Sequence, residues 1–211
     1  MLCWRYAILL LFAIVSEAGA IEPSPDDLSV SAERTVDIST QVVKVIVRYE
    51  LVNSGNQEIN SFLHVVHENE HSRLAYITAS DSRKDTKLRV SKIEKARADV
   101  KKGYVAYKVE LLNMIPPSGK AVVTVEYHLV EYLEPFPTKI TQADTQFVIY
   151  KGNAHVSSIY PVTQETTVVL LPNGKLESHT TVPPTRLDAY KLTYGPYSNQ
   201  KPFTFVCFFL K

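Results

Sequence analysis

Val43-Lys44-Val45-Ile46-Val47-Arg48-Tyr49-Glu50-Leu51 decides the fold class of this chain. Val43, Val45, Val47, Tyr49 and Leu51 fall on one side of an extended backbone, while Lys44, Arg48 and Glu50 fall on the other. That period of two predicts a half-buried β-strand. Asn53-Ser54-Gly55-Asn56 then breaks the pattern with turn residues. Downstream, Val105, Tyr107, Val109 and Leu111 alternate within 104–112, and Val123, Val125, Tyr127 and Leu129 within 121–129. Between them lies Ile115-Pro116-Pro117-Ser118-Gly119, so the two runs read as a hairpin closed by a Pro-Gly loop. Further short strands are predicted over 147–150 and 166–171. Pro172-Asn173-Gly174-Lys175 follows the latter and carries the Asn-Gly signal of a tight hairpin. Shorter β-rich pieces lie over 74–78 and 88–93. A single helical turn fits Glu68 to Ala75, and no long amphipathic helix is visible. Many short strands with frequent turns predict an all-β, sandwich-like domain.

The N-terminus sets the expected compartment. Arg5 precedes an apolar run from Tyr6 to Val15, and Ala18-Gly19-Ala20 forms an A-x-A cleavage pattern. That order predicts a cleavable signal peptide over residues 1–20. The apolar run is about half the roughly 20 residues a spanning helix needs. The expected mature chain begins near Ile21. Losing Arg5 and Glu17 leaves 22 basic and 21 acidic residues. So even a balance gives no global reason to expect nucleic acid or anionic lipid as a partner. Cys3 leaves with the signal, so Cys207 stands alone and no intrachain disulfide is expected in the mature chain. No N-x-S/T sequon occurs.

Several residue groups invite a chemical reading. His67-Glu68-Asn69-Glu70-His71 is a literal H-E-x-x-H, which on a helix presents two imidazoles to zinc with Glu68 as general base; Glu94 is a candidate third ligand. The flanks lean towards strand and the motif itself is entirely polar, so a solvated connector is the favoured reading. Glu131 and Glu134 flank Tyr132, a carboxylate pattern that also occurs in glycoside hydrolysis, but in a Pro-rich segment surface placement is expected. No G-x-S-x-G elbow or phosphate-cradling glycine loop is present, and Cys207 sits in an apolar run. His64, His128, His155 and His179 are scattered and read as packed or surface residues. No catalytic, cofactor-binding or metal residue is assigned.

Two stretches differ in composition. From Arg83 to Lys102 there are nine basic residues against three acidic ones. The pattern fits either a phosphate- or head-group-binding patch or the solvated face of an edge strand guarded by lysines. From Glu131 to Tyr160, Pro135 and Pro137 bracket Phe136, and Tyr132, Tyr150 and Tyr160 add aromatic surface. These residues suit a recognition surface or a sandwich corner equally.

The second stretch also carries a resemblance. Phe136-Pro137-Thr138-Lys139-Ile140-Thr141-Gln142, then Gln146-Phe147-Val148-Ile149-Tyr150 and Gly152-Asn153, resemble the signature run of the ribophorin I family. So do Arg34-Thr35-Val36-Asp37, Ser61-Phe62-Leu63, Tyr160-Pro161, Pro184-Thr185-Arg186 and Tyr194-Gly195-Pro196, in the family's order from about Asp27 to Tyr197. The resemblance implies the luminal β-sandwich part of a subunit of the oligosaccharyltransferase complex in the endoplasmic reticulum. That complex transfers a dolichol-linked oligosaccharide to asparagine in N-x-S/T sequons. The resemblance further implies a non-enzymatic role, with catalysis in another subunit and no catalytic residue to carry over. Expected partners are the other subunits and nascent polypeptide clients, with no nucleic acid, and with membrane association through the complex. The family lacks the paired histidines of 67–71, which weakens the zinc reading. The expected organisation is a signal over 1–20, a luminal β region over 21–197 and a divergent apolar tail over 198–211, as in a truncated product. A free secreted β-sandwich binding module is the alternative.

Overall fold

Alternation in the sequence becomes alternation in burial. The computed structural model describes residues 23–83, 85–94, 97–142, 146–172, 176–179, 183–198 and 204–210; the expected signal peptide lies outside them. Strand β2 (Val43–Asn53) buries Val43, Val45, Val47, Tyr49 and Leu51 and leaves Arg48 exposed. It pairs antiparallel with β1 (Leu28–Asp37) on one side and β8 (Lys120–Leu129) on the other. The outer face of these three strands is laced by ion pairs, Lys44 with Glu126 at 3.1 Å, Arg48 with Glu33 at 3.5 Å and Lys120 with Glu50 at 3.1 Å. Each is solvated enough to contribute at most about 1 kcal/mol. The inner face holds the core.

These strands form the middle of an eight-stranded sheet. On the β1 side come β11 (Val162–Leu170), β14 (Lys191–Tyr197) and β13 (Arg186–Asp188); on the β8 side come β4 (Leu74–Asp81) and β5 (Thr86–Leu88). β1 and β11 run parallel, from Val30 opposite Val162 to Asp37 opposite Leu170. Parallel neighbours need a long crossover, so this contact joins distant parts of the chain. β1 escaped the sequence reading because its third inward repeat after Leu28 is Arg34, a charge on a buried face.

A second layer covers the inner face. One part is a three-stranded sheet in the order β3 (Ile59–His67), β7 (Tyr104–Ile115), β6 (Val90–Lys92). The other is a four-stranded sheet in the order β12 (Leu176–His179), β15 (Thr204–Leu210), β10 (Phe147–Asn153), β9 (Glu134–Phe136). Phe62 and Val109 from the first, and Val148 and Tyr150 from the second, join one hydrophobic cluster with the inward residues of the large sheet. Tyr49 meets Phe62 edge-on at 5.5 Å across the layers. The expected all-β sandwich is what forms. The short turn α1 (Glu68–His71) caps β3, where a helical turn was anticipated.

Two expected hairpins are corrected. β7 belongs to the three-stranded sheet and β8 to the large one, so Pro116 to Gly119 carries the chain between layers rather than closing a hairpin. The physical reason lies at Asn53: its N–H donates to the Gly119 carbonyl at 3.0 Å, its carbonyl accepts from Ser118 N at 3.0 Å, and its side chain donates to the Ile115 carbonyl at 2.9 Å. These bonds hand β8 to β2. Similarly, β11 lies in the large sheet and β12 in the four-stranded one, so the Asn-Gly signal marks another change of layer; residues 173–175 themselves lie outside the described ones. The stretch expected as an apolar tail contributes β15, whose backbone pairs with both β10 and β12.

Candidate functional site

At the centre of the inward face of the large sheet, β1, β2 and β11 place the polar side chains of Arg34, Tyr49, Glu165 and Thr167 side by side. Ala32 lies opposite Tyr49 on one flank and Glu165 on the other, and Arg34 lies opposite Thr167. Tyr49 Oη is 2.9 Å from His64 Nδ1 on β3. Burial pushes the tyrosine pKa up, so the phenol keeps its proton. Burial, reinforced by the positive charge of Arg34, pulls His64 down to about 3. The imidazole is therefore neutral. Arg34 itself is buried, and its Nε and Nη2 have no hydrogen-bond partner among the described residues.

Glu165 fastens the second layer to the first. Its carboxylate holds His155 Nδ1 and accepts from the Val156 N–H at 2.7 Å. Two residues along, Thr167 Oγ1 donates to the Ala154 carbonyl at 2.7 Å. Tyr160 Oη accepts from the Leu63 N–H at 2.9 Å. Residues 154–160 are thus a strap pinned at three places. Beside the strap opens a cleft of about 170 Å³, lined on one side by Asn153 and 155–159 and on the other by 99–101, Tyr104 and Val65. Asp99 in its rim is gripped by Arg97 through bonds of 2.9 and 2.7 Å, and that hydrogen bonding holds its carboxyl below the usual range. The cleft joins the two compositionally distinct stretches, basic 83–102 and aromatic 131–160. Sequence reading marked each alone, and nothing in either signalled that they meet.

The H-E-x-x-H residues are placed differently from a zinc motif. His67 is the extended N-cap of α1, with Nδ1 accepting from Asn69 N at 3.2 Å and its ring edge-on to Tyr104 at 5.1 Å. His71 Nδ1 lies 2.8 Å from Tyr107 Oη. Glu70, not Glu68, turns inward and accepts from Tyr127 Oη at 3.0 Å, while Glu94 lies 3.8 Å from Lys92. A one-turn helix whose first histidine sits in the extended cap does not line up the two rings. Among the described residues no group of three or more His, Cys, Asp or Glu is placed to hold a metal ion.

Glu131 and Glu134 lie at the surface, each in an ion pair, with Arg73 at 2.9 Å and Lys151 at 2.6 Å. His128 pairs with Glu126 at 2.9 Å; the side chains of His179 and Cys207 lie outside the described ones. In the basic stretch, β5 ends the large sheet and β6 ends the three-stranded one. Lys87 and Lys92 on them are exposed, as expected of guarded edges. Phe136 and Ile140 from the aromatic stretch stay 53% and 43% exposed, with Val42 and Val130 exposed at the ends of the adjacent β2 and β8.

Comparison with known proteins gives this geometry a context. The model of the family described as Ribophorin I matches residues 29–208, which runs past Tyr197 into β15. The chain is 33% identical over 195 residues to dolichyl-diphosphooligosaccharide–protein glycosyltransferase subunit 1 of Caenorhabditis elegans, covering 92% of this chain and 32% of that one. It is 30% identical over 208 residues to subunit 1B of Arabidopsis thaliana, covering 95% and 44%. The chain thus spans 32% to 44% of the length of these relatives. Among solved structures, a nutrient-binding protein of Legionella pneumophila superposes with a TM-score of 0.51 at 9% identity, covering 88% of this chain and 68% of that one. That likeness concerns the fold alone.

Proposed function

We infer the function from one premise: this chain belongs to the ribophorin I family. It is a non-catalytic component of the oligosaccharyltransferase that transfers a dolichol-linked oligosaccharide to asparagine during protein N-glycosylation. The bond-making residues belong to another subunit, and this chain acts by protein contact on the luminal side of the endoplasmic reticulum. Residues 1–20 direct it there, and its partners are the other subunits and nascent polypeptides. The observation that carries this reading is a family match over residues 29–208. The geometry agrees with it: the buried Glu165 carboxylate is engaged in holding the strap to the large sheet, while apolar side chains such as Phe136 are left to the surface. Among the described residues no helix is long and apolar enough to cross a membrane.

Co-purification from microsomes tests it. Epitope-tagged chain is expected to bring down the other transferase subunits in stoichiometric amount. A chain that migrates alone and is recovered from the medium overturns the reading in favour of a free secreted binding module.

A further inference from the structure

The cleft between the strap and the 97–104 loop has a size and a charge that name an occupant. We propose that it is a docking pocket for one bulky apolar side chain, of leucine or phenylalanine size, carried on an acidic segment of a partner polypeptide. This rests on the reading that the chain works through protein contacts, and it specifies where and with what chemistry.

Size comes first. At about 170 Å³ the cleft falls below the roughly 300–1,000 Å³ of sites that enclose cofactors and drug-sized ligands, and it suits a single side chain. Its wall chemistry is mixed: Val65, Val100, Val156, Ile159 and the Tyr104 ring supply apolar surface, and Asn153, Ser157 and Ser158 supply polar groups at its edges. Apolar walls with a few polar groups are the setting of an interface hot spot, where one anchor residue is fully desolvated.

Charge decides the flanks of the anchor. Arg97 and Asp99 close bidentately on each other and cancel. Lys101 and Lys102 are exposed and have no ion-pair partner among the described residues. The net sign at the rim is positive, so carboxylates beside the anchor are favoured and steer the approach. Both walls are already fixed. Glu165, Thr167 and Tyr160 pin the strap, and the Glu68 N–H donates to the Gly103 carbonyl at 2.8 Å, holding the opposite turn. A pre-formed pocket costs little ordering entropy on binding.

The test is a two-dimensional NMR titration of the purified chain with three probes: the peptide Glu-Asp-Phe-Asp-Glu, the same peptide with alanine for phenylalanine, and inorganic phosphate. The phenylalanine peptide is expected to saturate, with shifts centred on the amides of Val65, Tyr104, Val156 and Ile159. The alanine peptide is expected to bind about tenfold more weakly. Lys101→Glu with Lys102→Glu, both on exposed side chains, is expected to weaken the phenylalanine peptide about fivefold and flatten its salt dependence, and Ser157→Trp, which fills the cleft, to abolish its binding. Equal binding of the two peptides, the same shifts with phosphate alone, or no saturable shift in these residues overturns the proposal. If the chain co-purifies with the transferase but ignores the peptide, the pocket falls and the proposed function stands. If the peptide docks while the chain migrates alone, the function falls and the pocket stands.

Discussion

The centre of the sandwich and the turn at its rim are built from the same residue types. Around Arg34 lie His64, Tyr49, His155 and Glu165; around α1 lie His67, His71, Tyr104, Tyr107 and Glu70. At the rim the histidines sit next to water, and their contacts with tyrosine rings and hydroxyls are modest. In the centre, His64 is 3% exposed and His155 5%, so every polar group there must be paired or bear a desolvation cost. The spacing of the rim residues imitates a metal motif, yet the strength of a polar contact follows from burial.

The largest expected effect is in the centre. Glu165→Ala strips the acceptor from His155 Nδ1 and from the Val156 N–H, and leaving buried polar groups unsatisfied costs roughly 3–5 kcal/mol in total. Urea unfolding reads the loss, and a change below 1 kcal/mol would break the contrast drawn here.

Next comes the pH response of His64. Its folded pKa, about 3, lies below the ordinary value of 6.5, so the unfolded chain binds a proton that the folded chain refuses. Its contribution is complete above pH 6.5 and is lost as pH falls from there towards 3. Between pH 6.5 and pH 4 the loss amounts to roughly 3 kcal/mol. His64→Gln is expected to remove that component, read as the difference between wild-type and variant melting temperatures from pH 7 to pH 4. Parallel curves would refute the neutral buried imidazole.

A smaller effect is expected at Gly195, where β14 pairs with β11 beside a register shift between Glu165 and Thr167. Its φ is +102° and a Cβ there would lie 2.7 Å from the Glu165 carbonyl oxygen. Gly195→Ala is expected to cost about 2–3 kcal/mol in chemical denaturation.

The rim should respond least. His67→Ala with His71→Ala removes a cap bond and the Tyr107 contact, for a combined loss of about 1 kcal/mol or less. A loss as large as that of Glu165→Ala would erase the distinction between rim and centre.

Much of the architecture was visible in the residues. The faces of β2 and β8 follow from alternation of Val, Tyr and Leu with polar and charged neighbours, and a helical turn starting at Glu68 was anticipated. β1 was missed because Arg34 breaks the apolar pattern at an inward position, and the hairpin at Pro116 was expected because turn chemistry says that a chain turns, without saying onto which strand. Of the cleft, the sequence showed two unusual stretches but no sign of their meeting.

Which side of each strand faces inward was determined by the sequence alone, because a period of two is a local property of an extended backbone. Which strand lies beside which, and therefore that Arg34 is buried, that β1 runs parallel to β11 and that Lys101 stands opposite Ile159 across a cleft, was decided only by the tertiary structure. Strand pairing joins residues far apart in the chain, and its free energy comes from packing two layers together, to which no single stretch of sequence has access.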